Sequence, residues 1–236
     1  MSNFQTFDSI HGKFIVNVND HFHANALKHG ITHIEPELQM IYEVVDTLED
    51  NSVIIDGGTN AGFVLIPLAQ RTKHKNIKII GFEPQRVMHA AVSGSLVLND
   101  LYENCIVINA GLSDNNGAGY LNLLDYSQHN DFGTVRVNVN QRPENKPFLC
   151  FDDSFVRLTT VDSLNLPRLD FMKLDVESHE LHALRGAEQT LKKFKPKMWI
   201  EHPLVGIQNI RNLLNSFGLN YEVTDKDGSN CLCTPK

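Results

Sequence analysis

The sequence predicts an α/β fold on one mostly parallel, doubly wound sheet, with an antiparallel final strand and an inserted β-rich segment. Three observations carry this. Short apolar runs alternate with amphipathic helical stretches in a β-α-β-α-β rhythm, which parallel sheets produce because each crossover needs a helix. The runs "SVIID" (52–56), "IKIIGF" (77–82) and "CIVINA" (105–110) are nearly continuously apolar, as in strands covered on both faces. Acids then close several runs, where doubly wound folds open their ligand crevice.

At 236 residues the chain has the size of a single domain, expected over 1–236, with a substantial core. Hydrophobic residues make up 42% and charged residues 21%, an ordinary globular composition. The net charge of -7 offers no electrostatic footprint for a polyanion, so nucleic acid is not expected as a partner. Four cysteines (Cys105, Cys150, Cys231, Cys233) lack the density and spacing of a secreted disulfide scaffold and read as free thiols in a reducing compartment. The first residues lack a leader's apolar segment, and no apolar run reaches the roughly 18 residues of a membrane span. A cytoplasmic location without membrane insertion is expected.

Residues 1–35 are polar and dotted with histidines (His21, His23, His29, His33); they read as an N-terminal appendage in which "KFIVNV" forms a strand or hairpin arm. From Pro36, "PELQMIYEVVDTL" puts Leu38, Ile41, Val44, Val45 and Leu48 on one helical face. After "SVIID" a helix is expected from about Ala61, kinked or delayed by Pro67, and another over "QRVMHAAVSGSLVLN". Between Gly111 and Thr160 the rhythm stops. "DNNGAGYLNLL" carries an Asn-Gly turn, "TVRVNVN" alternates and "QRPENKP" is loop chemistry, so added antiparallel strands are expected over 111–160. The core resumes with "LDFMKLD", helices over "HELHALRG" and "AEQTLKKF", the strand "KMWIEH", the helix "GIQNIRNLLNSFG", and a closing hairpin turning at Asp227-Gly228.

Three motifs can carry chemistry. "IIDGGTNAGF" ends a strand in Asp56 and crowds Gly57, Gly58 and Gly62 into the next turn, where free N–H groups at a helix start favour an anionic group. The G-x-G-x-x-G fingerprint is absent, which argues against nicotinamide and flavin cofactors; a tight turn without ligand is the competing reading. "IIGFEP" ends the second strand in Glu83, where doubly wound folds place an acid that accepts the ribose hydroxyls of a nucleoside. "MKLDVESHE" then supplies Asp175 and Glu177. If "SVIID" is the first strand and "FMKLD" the fourth, Asp56 and Asp175 end adjacent strands where the strand order reverses. The competing reading makes Ser178 a helix cap, with Glu177 and Glu180 near its positive end.

In this order and spacing, D-G-G-T-N-A-G, G-F-E-P, "NAGLSD" and K-L-D-V-E-x-x-E-x-x-A-L-R-G-A-E, closed by I-E, resemble the FkbM family of S-adenosylmethionine-dependent methyltransferases over about residues 35–203. The resemblance implies a Rossmann-like class I methyltransferase fold. It also implies S-adenosyl-L-methionine as cofactor and S-adenosyl-L-homocysteine as product. Asp56, Gly57, Gly58, Thr59, Asn60 and Gly62 would cradle the methionine part, Glu83 and Pro84 the ribose, and Gly111 and Leu112 the adenine. Two positions depart from the family pattern: Thr59 replaces an alanine, and Ser178 replaces the glycine of V-E-G-x-E.

Methyl transfer is an in-line displacement, so alignment of the reacting atoms does most of the work, and an alcohol also needs somewhere to put its proton. Asp175 and Glu177 are the first candidates, with His202, His179 and Glu201 behind them. No metal is expected. The alternative is a divalent ion on Asp175, Glu201 and His202, as some O-methyltransferases use one. The expected acceptor is a hydroxyl on a sugar, glycan or small metabolite, partly enclosed by the insertion with its Tyr120, Tyr126, Phe132 and His129. Transfer to nitrogen or protein, and a non-catalytic nucleoside-binding module, are the alternatives.

Overall fold

The computed structural model describes residues 3–122, 125–139 and 154–236. The N-terminal segment forms β1 (Phe4–Ser9), β2 (Gly12–Asn17) and α1 (His23–Leu27), followed by α2 (Glu35–Val45). The first half of the main sheet comprises β3 (Val53–Gly57), α3 (Leu65–Thr72), β4 (Lys78–Phe82), α4 (Arg86–Leu98) and β5 (Cys105–Ile108). The insertion adds β6 (Gly111–Leu112), β7 (Gly117–Leu121), β8 (Val137–Asn138) and β9 (Phe155–Thr159). The second half runs β10 (Phe171–Leu174), α5 (Glu180–Arg185), α6 (Glu188–Phe194), β11 (Lys197–Glu201), α7 (Ile207–Ser216), β12 (Tyr221–Asp225) and β13 (Asn230–Pro235).

Seven strands make the main sheet in the order β12-β13-β11-β10-β3-β4-β5. Strands β3, β4, β5, β10 and β11 are parallel, and β13 runs antiparallel to both its neighbours. The chain winds outward from β3 to β5, then restarts beside β3 with β10 and winds the other way. The order therefore reverses between β3 and β10, and the crevice of a doubly wound sheet lies at that point.

Both faces of the sheet are covered, which is why its strands read as unbroken apolar runs. Phe171 and Trp199 pack into one core with Leu38, Ile41 and Leu65, while Met172, Leu174, Met198 and Ile200 pack into the other with Leu184 and Leu191. Each such burial contributes roughly 1.5–3 kcal/mol before conformational entropy is subtracted. The Trp199 indole also donates to Glu37 Oε1 at 2.9 Å, tying α2 to β11. Pro67 is the third residue of α3, a first-turn position whose missing N–H has no intrahelical partner to lose, so the helix starts late and runs on.

Residues 3–35 are not an appendage. Phe14, Val16, Ala24 and Leu27 are buried in the same core as Leu38 and Leu65. Strand β2 lies on α4, with the Ile15 N–H donating to Ser95 Oγ at 2.8 Å. Gly94 makes this approach possible, since a Cβ there would stand 2.8 Å from Ile15 Cδ1. The side-chain amides of Asn3, Asn17 and Asn19 all donate to the Tyr126 carbonyl, at 3.2, 2.9 and 3.1 Å.

The insertion folds as a small sheet ordered β6-β9-β7-β8. Pairings of β7 are antiparallel as expected, but β6 pairs with β9 in parallel. Strand β9 therefore sits between β6 and β7, and Asn116-Gly117 does not close a hairpin. The stretch "TVRVNVN" contributes only Val137–Asn138, and the loop "QRPENKP" and Cys150 lie outside the described residues. Among the described residues, no helix is long and apolar enough to cross a membrane.

Candidate functional site

A cavity of about 320 Å³ opens at the strand-order reversal. Its floor is set by one close backbone approach. Gly58 has φ +81, and a Cβ there would fall 1.8 Å from the Asp175 carbonyl oxygen, so only glycine lets the ends of β3 and β10 meet.

Several amides of the glycine turn are already engaged. The N–H groups of Gly58 and Thr59 both donate to the Phe82 carbonyl at 3.0 Å, that of Gly62 donates to Thr59, and α3 begins only at Leu65. These three amides are therefore committed to the turn itself and not to an anion. Gly58 and Asn60 line the cavity, whereas Asp56, Gly57, Thr59 and Gly62 do not. Gly62 instead lets α4 approach, for its Cβ would press Val92 Cγ2 at 2.8 Å. Asn60 is the turn's main offering to a ligand, because its Oδ1 is buried without a hydrogen-bond partner among the described residues.

Glu83 ends β4 with 2% of its surface exposed. Its Oε2 accepts the Asn60 N–H and its Oε1 the Gln85 N–H, both at 2.8 Å, which fixes the carboxylate at the cavity wall. Burial pushes its pKa up to about 7 against the pull of those two donors. Pro84, Gly111 and Leu112 continue the wall.

Across the cavity, Asp175, Glu177 and Glu201 bring carboxylate oxygens within 4.8 Å of one another. Burial, reinforced by Asp175, raises Glu177 to about 7; burial and the charges of Asp175, Glu177 and Glu180 raise Glu201 to about 8. Lys173 Nζ donates to Asp175 Oδ2 at 3.0 Å and lies 3.9 Å from Asp56 Oδ1. Burial penalises this ammonium, yet Asp175, Asp56 and Glu37 outweigh the penalty and raise its pKa. Among the described residues, neither carboxylate oxygen of Asp56 has a hydrogen-bond partner, and burial raises its pKa. It therefore balances Lys173 beneath the site instead of touching a ligand.

The departure from V-E-G-x-E is visible in the backbone. Glu177 and Ser178 have φ 53 and 73, so Ser178 holds a left-handed conformation that glycine adopts without strain. Ser178 does not cap α5. The cap residue is His179, and Glu180 Oε1 reaches back to accept the Val176 N–H at 3.0 Å. His179 lines the cavity with Nε2 3.0 Å from Ser113 Oγ; burial, then His182, lowers its pKa to about 4.

His202 does not join the site. It turns toward the closing hairpin, where Nε2 stands 3.7 Å from Asp225 Oδ2, and it does not line the cavity. One residue past β11, it leaves Glu201 as that strand's contribution. The ligand set Asp175, Glu201 and His202 is thus not assembled.

The rest of the wall comes from the insertion, as expected, and from the N-terminal segment, which was not. Asp131, Gly133 and Thr134 line it from the insertion, and Phe22, His23 and His33 from the N-terminal segment. The expected aromatics do not line it: Tyr126 packs on Phe132 at 4.9 Å and donates to Gln85 Oε1, Tyr120 packs on Phe155, and His129 stacks on His21. A sequence signal for the N-terminal part was the Asp20-x-x-His23 spacing, which brings Asp20 Oδ2 to 2.7 Å from His23 Nδ1.

A family model described as the methyltransferase FkbM domain matches residues 56–222, spanning the glycine turn, Glu83 and the acid cluster. The chain belongs to the FkbM methyltransferase family. Methyltransferase sdnD of Sordaria araneosa is 28% identical over 191 residues, covering 65% of this chain and 70% of that protein. The methyltransferase FkbM structure from Methylobacillus flagellatus KT superposes with TM-score 0.55 at 19% identity, over 89% of this chain and 52% of that one. This chain thus spans about half that protein's length. Precorrin-6y C5,15-methyltransferase from Geobacter metallireducens GS-15 gives 0.51 at 12% identity, over 85% and 87% of the two chains. At these identities the superpositions show a shared Rossmann-like methyltransferase fold.

Proposed function

We propose that this FkbM-family protein transfers a methyl group from S-adenosyl-L-methionine to a hydroxyl on a sugar or other small molecule. The observation that carries the reading is one cavity with Glu83 on one wall and Asp175, Glu177 and Glu201 on the other, at the strand-order reversal. The cofactor would supply an electrophilic methyl group on a positively charged sulfur.

Each residue's part follows from its geometry. The fixed Glu83 carboxylate keeps lone pairs for two ribose hydroxyls after taking its two N–H donors. The unpartnered Asn60 Oδ1 suits the ammonium of the methionine part, and Gly111 and Leu112 flank the base. Asp175, with Glu177 once it ionises, gives the far end a negative potential that favours a sulfonium over a neutral ligand. Asp175, held by Lys173, orients; Glu177 and Glu201, with Asp131 and Thr134, offer hydrogen bonds to a polyhydroxylated acceptor.

Calorimetry with S-adenosyl-L-homocysteine tests the cofactor assignment, and absence of binding by folded protein defeats it. Binding without methyl transfer to any of a panel of alcohols would leave a nucleoside-binding module, the reading favoured by the strained Ser178.

A further inference from the structure

We propose that His23, oriented by Asp20, is the general base that takes the acceptor hydroxyl's proton. This rests on the methyl-transfer reading above. The residues come from a segment upstream of the matched family region.

The pair is built into the wall. Asp20 and His23 are 2% and 5% exposed. Asp20 Oδ1 accepts the N–H groups of Phe22 and His23 at 3.1 and 2.9 Å, which fixes the carboxylate. Its Oδ2 stands 2.7 Å from His23 Nδ1. The contact is close but not aligned as a hydrogen bond, and neither atom has another hydrogen-bond partner among the described residues. Phe63 and His33 hold the ring, with centroids 4.6 and 4.8 Å away. With Asp20 Oδ2 standing against Nδ1 and His23 in the cavity lining, Nε2 is the nitrogen assigned to the acceptor. The ring also lies near Asn60: a Cβ on Gly133 would be 3.8 Å from His23 Cε1 and 2.9 Å from Asn60 Nδ2.

The competing groups are engaged elsewhere. Asp175 is bonded to Lys173, and Glu177 sits in the crowd of carboxylates. His179 Nε2 is taken by Ser113, and His202 faces the hairpin. Burial would keep Asp20 protonated, but hydrogen bonds and charge from His23 and the Phe22 N–H hold its pKa below the usual value. An ionised Asp20 can therefore stabilise the imidazolium that forms. In the step itself the acceptor's O–H bond breaks and its proton passes to His23 Nε2. The oxygen–methyl bond forms while the methyl–sulfur bond breaks, with that electron pair going to sulfur. Asp20 is a positioning residue. Of the other titratable groups, His33 packs on the His23 ring, and Asp131 and Asp175 act on His33.

Calorimetry on the full chain should give His23→Gln an S-adenosyl-L-homocysteine affinity within about threefold of wild type. Its turnover, followed as S-adenosyl-L-homocysteine release over a panel of pyranosides and simple alcohols, should fall about 100-fold or more, and Glu177→Gln should lose less. Asp20→Asn should lower turnover about tenfold while its S-adenosyl-L-homocysteine affinity stays within about threefold of wild type, and Asp20→Glu should recover part of the loss. Turnover within about threefold of wild type in His23→Gln or in Asp20→Asn overturns the proposal. Asp20→Asn decides if His23→Gln fails to fold, and methylation of no panel alcohol overturns this proposal together with the methyl-transfer reading. Failure of wild-type protein to bind S-adenosyl-L-homocysteine overturns the cofactor reading instead, and that is seen before any variant is made.

Discussion

Replacing Glu83 with glutamine should change how stability depends on pH, by an amount the structure sets. Burial holds the carboxyl's folded-state pKa at about 7, against 4.5 as its ordinary value. Between those two values the folded protein binds a proton that the unfolded chain does not. Stability must therefore fall as pH rises through this window, with the contribution fully present below the lower value and lost above the higher one. From about pH 5.5 to pH 7 the loss is roughly 2 kcal/mol at 1.36 kcal/mol per pH unit. Glutamine does not titrate, so its protein lacks this component. Glu177 and Glu201, raised to about 7 and 8, titrate in both proteins and cancel in the comparison. Urea unfolding at about pH 5.5 and pH 8.5 should show wild-type protein losing about 2 kcal/mol more than Glu83→Gln. Equal losses would refute the claim that burial raises this carboxyl's pKa.

Gly58→Ala should cost about 3 kcal/mol in urea unfolding and weaken S-adenosyl-L-homocysteine binding at least about tenfold, since the new methyl meets the Asp175 carbonyl at 1.8 Å. Lys173→Met should cost about 3–5 kcal/mol because it leaves Asp56 buried without its cation, and Lys173→Met with Asp56→Asn should recover part of that loss. Asp175→Asn should keep the fold, judged by circular dichroism, and lower turnover at least about tenfold; wild-type rates would make Asp175 a bystander.

The sheet was legible because its strands are buried on both faces. "SVIID", "IKIIGF", "CIVINA" and "FMKL" need apolar side chains at nearly every position, and each lies within a residue or two of an observed strand. The adjacency of Asp56 and Asp175 followed from winding alone, and β3 does pair with β10. Side-chain direction at strand ends was not legible: Glu201 and His202 are neighbours in sequence, yet only Glu201 reaches the cavity. The N-terminal wall was hidden for another reason. Its polar composition suggested a solvated tail, while Phe14, Val16, Asp20 and His23 are buried by α4 and the insertion, partners far along the chain. The amides of Gly58 and Thr59 were misjudged because Phe82, a residue of the next strand, takes both.

The three asparagines that converge on the Tyr126 carbonyl give this wall a built-in redundancy. A carbonyl oxygen has two lone pairs, so three donors must share two places, and the loss of any one lets the others tighten. Trimming Asn3 or Asn19 to alanine therefore removes less than one full bond's worth of stability, whereas Asn17, buried and also accepting the Asn19 N–H through its Oδ1 at 2.9 Å, has more to lose. The redundancy keeps the N-terminal segment tied to the insertion when one of the outer asparagines drifts.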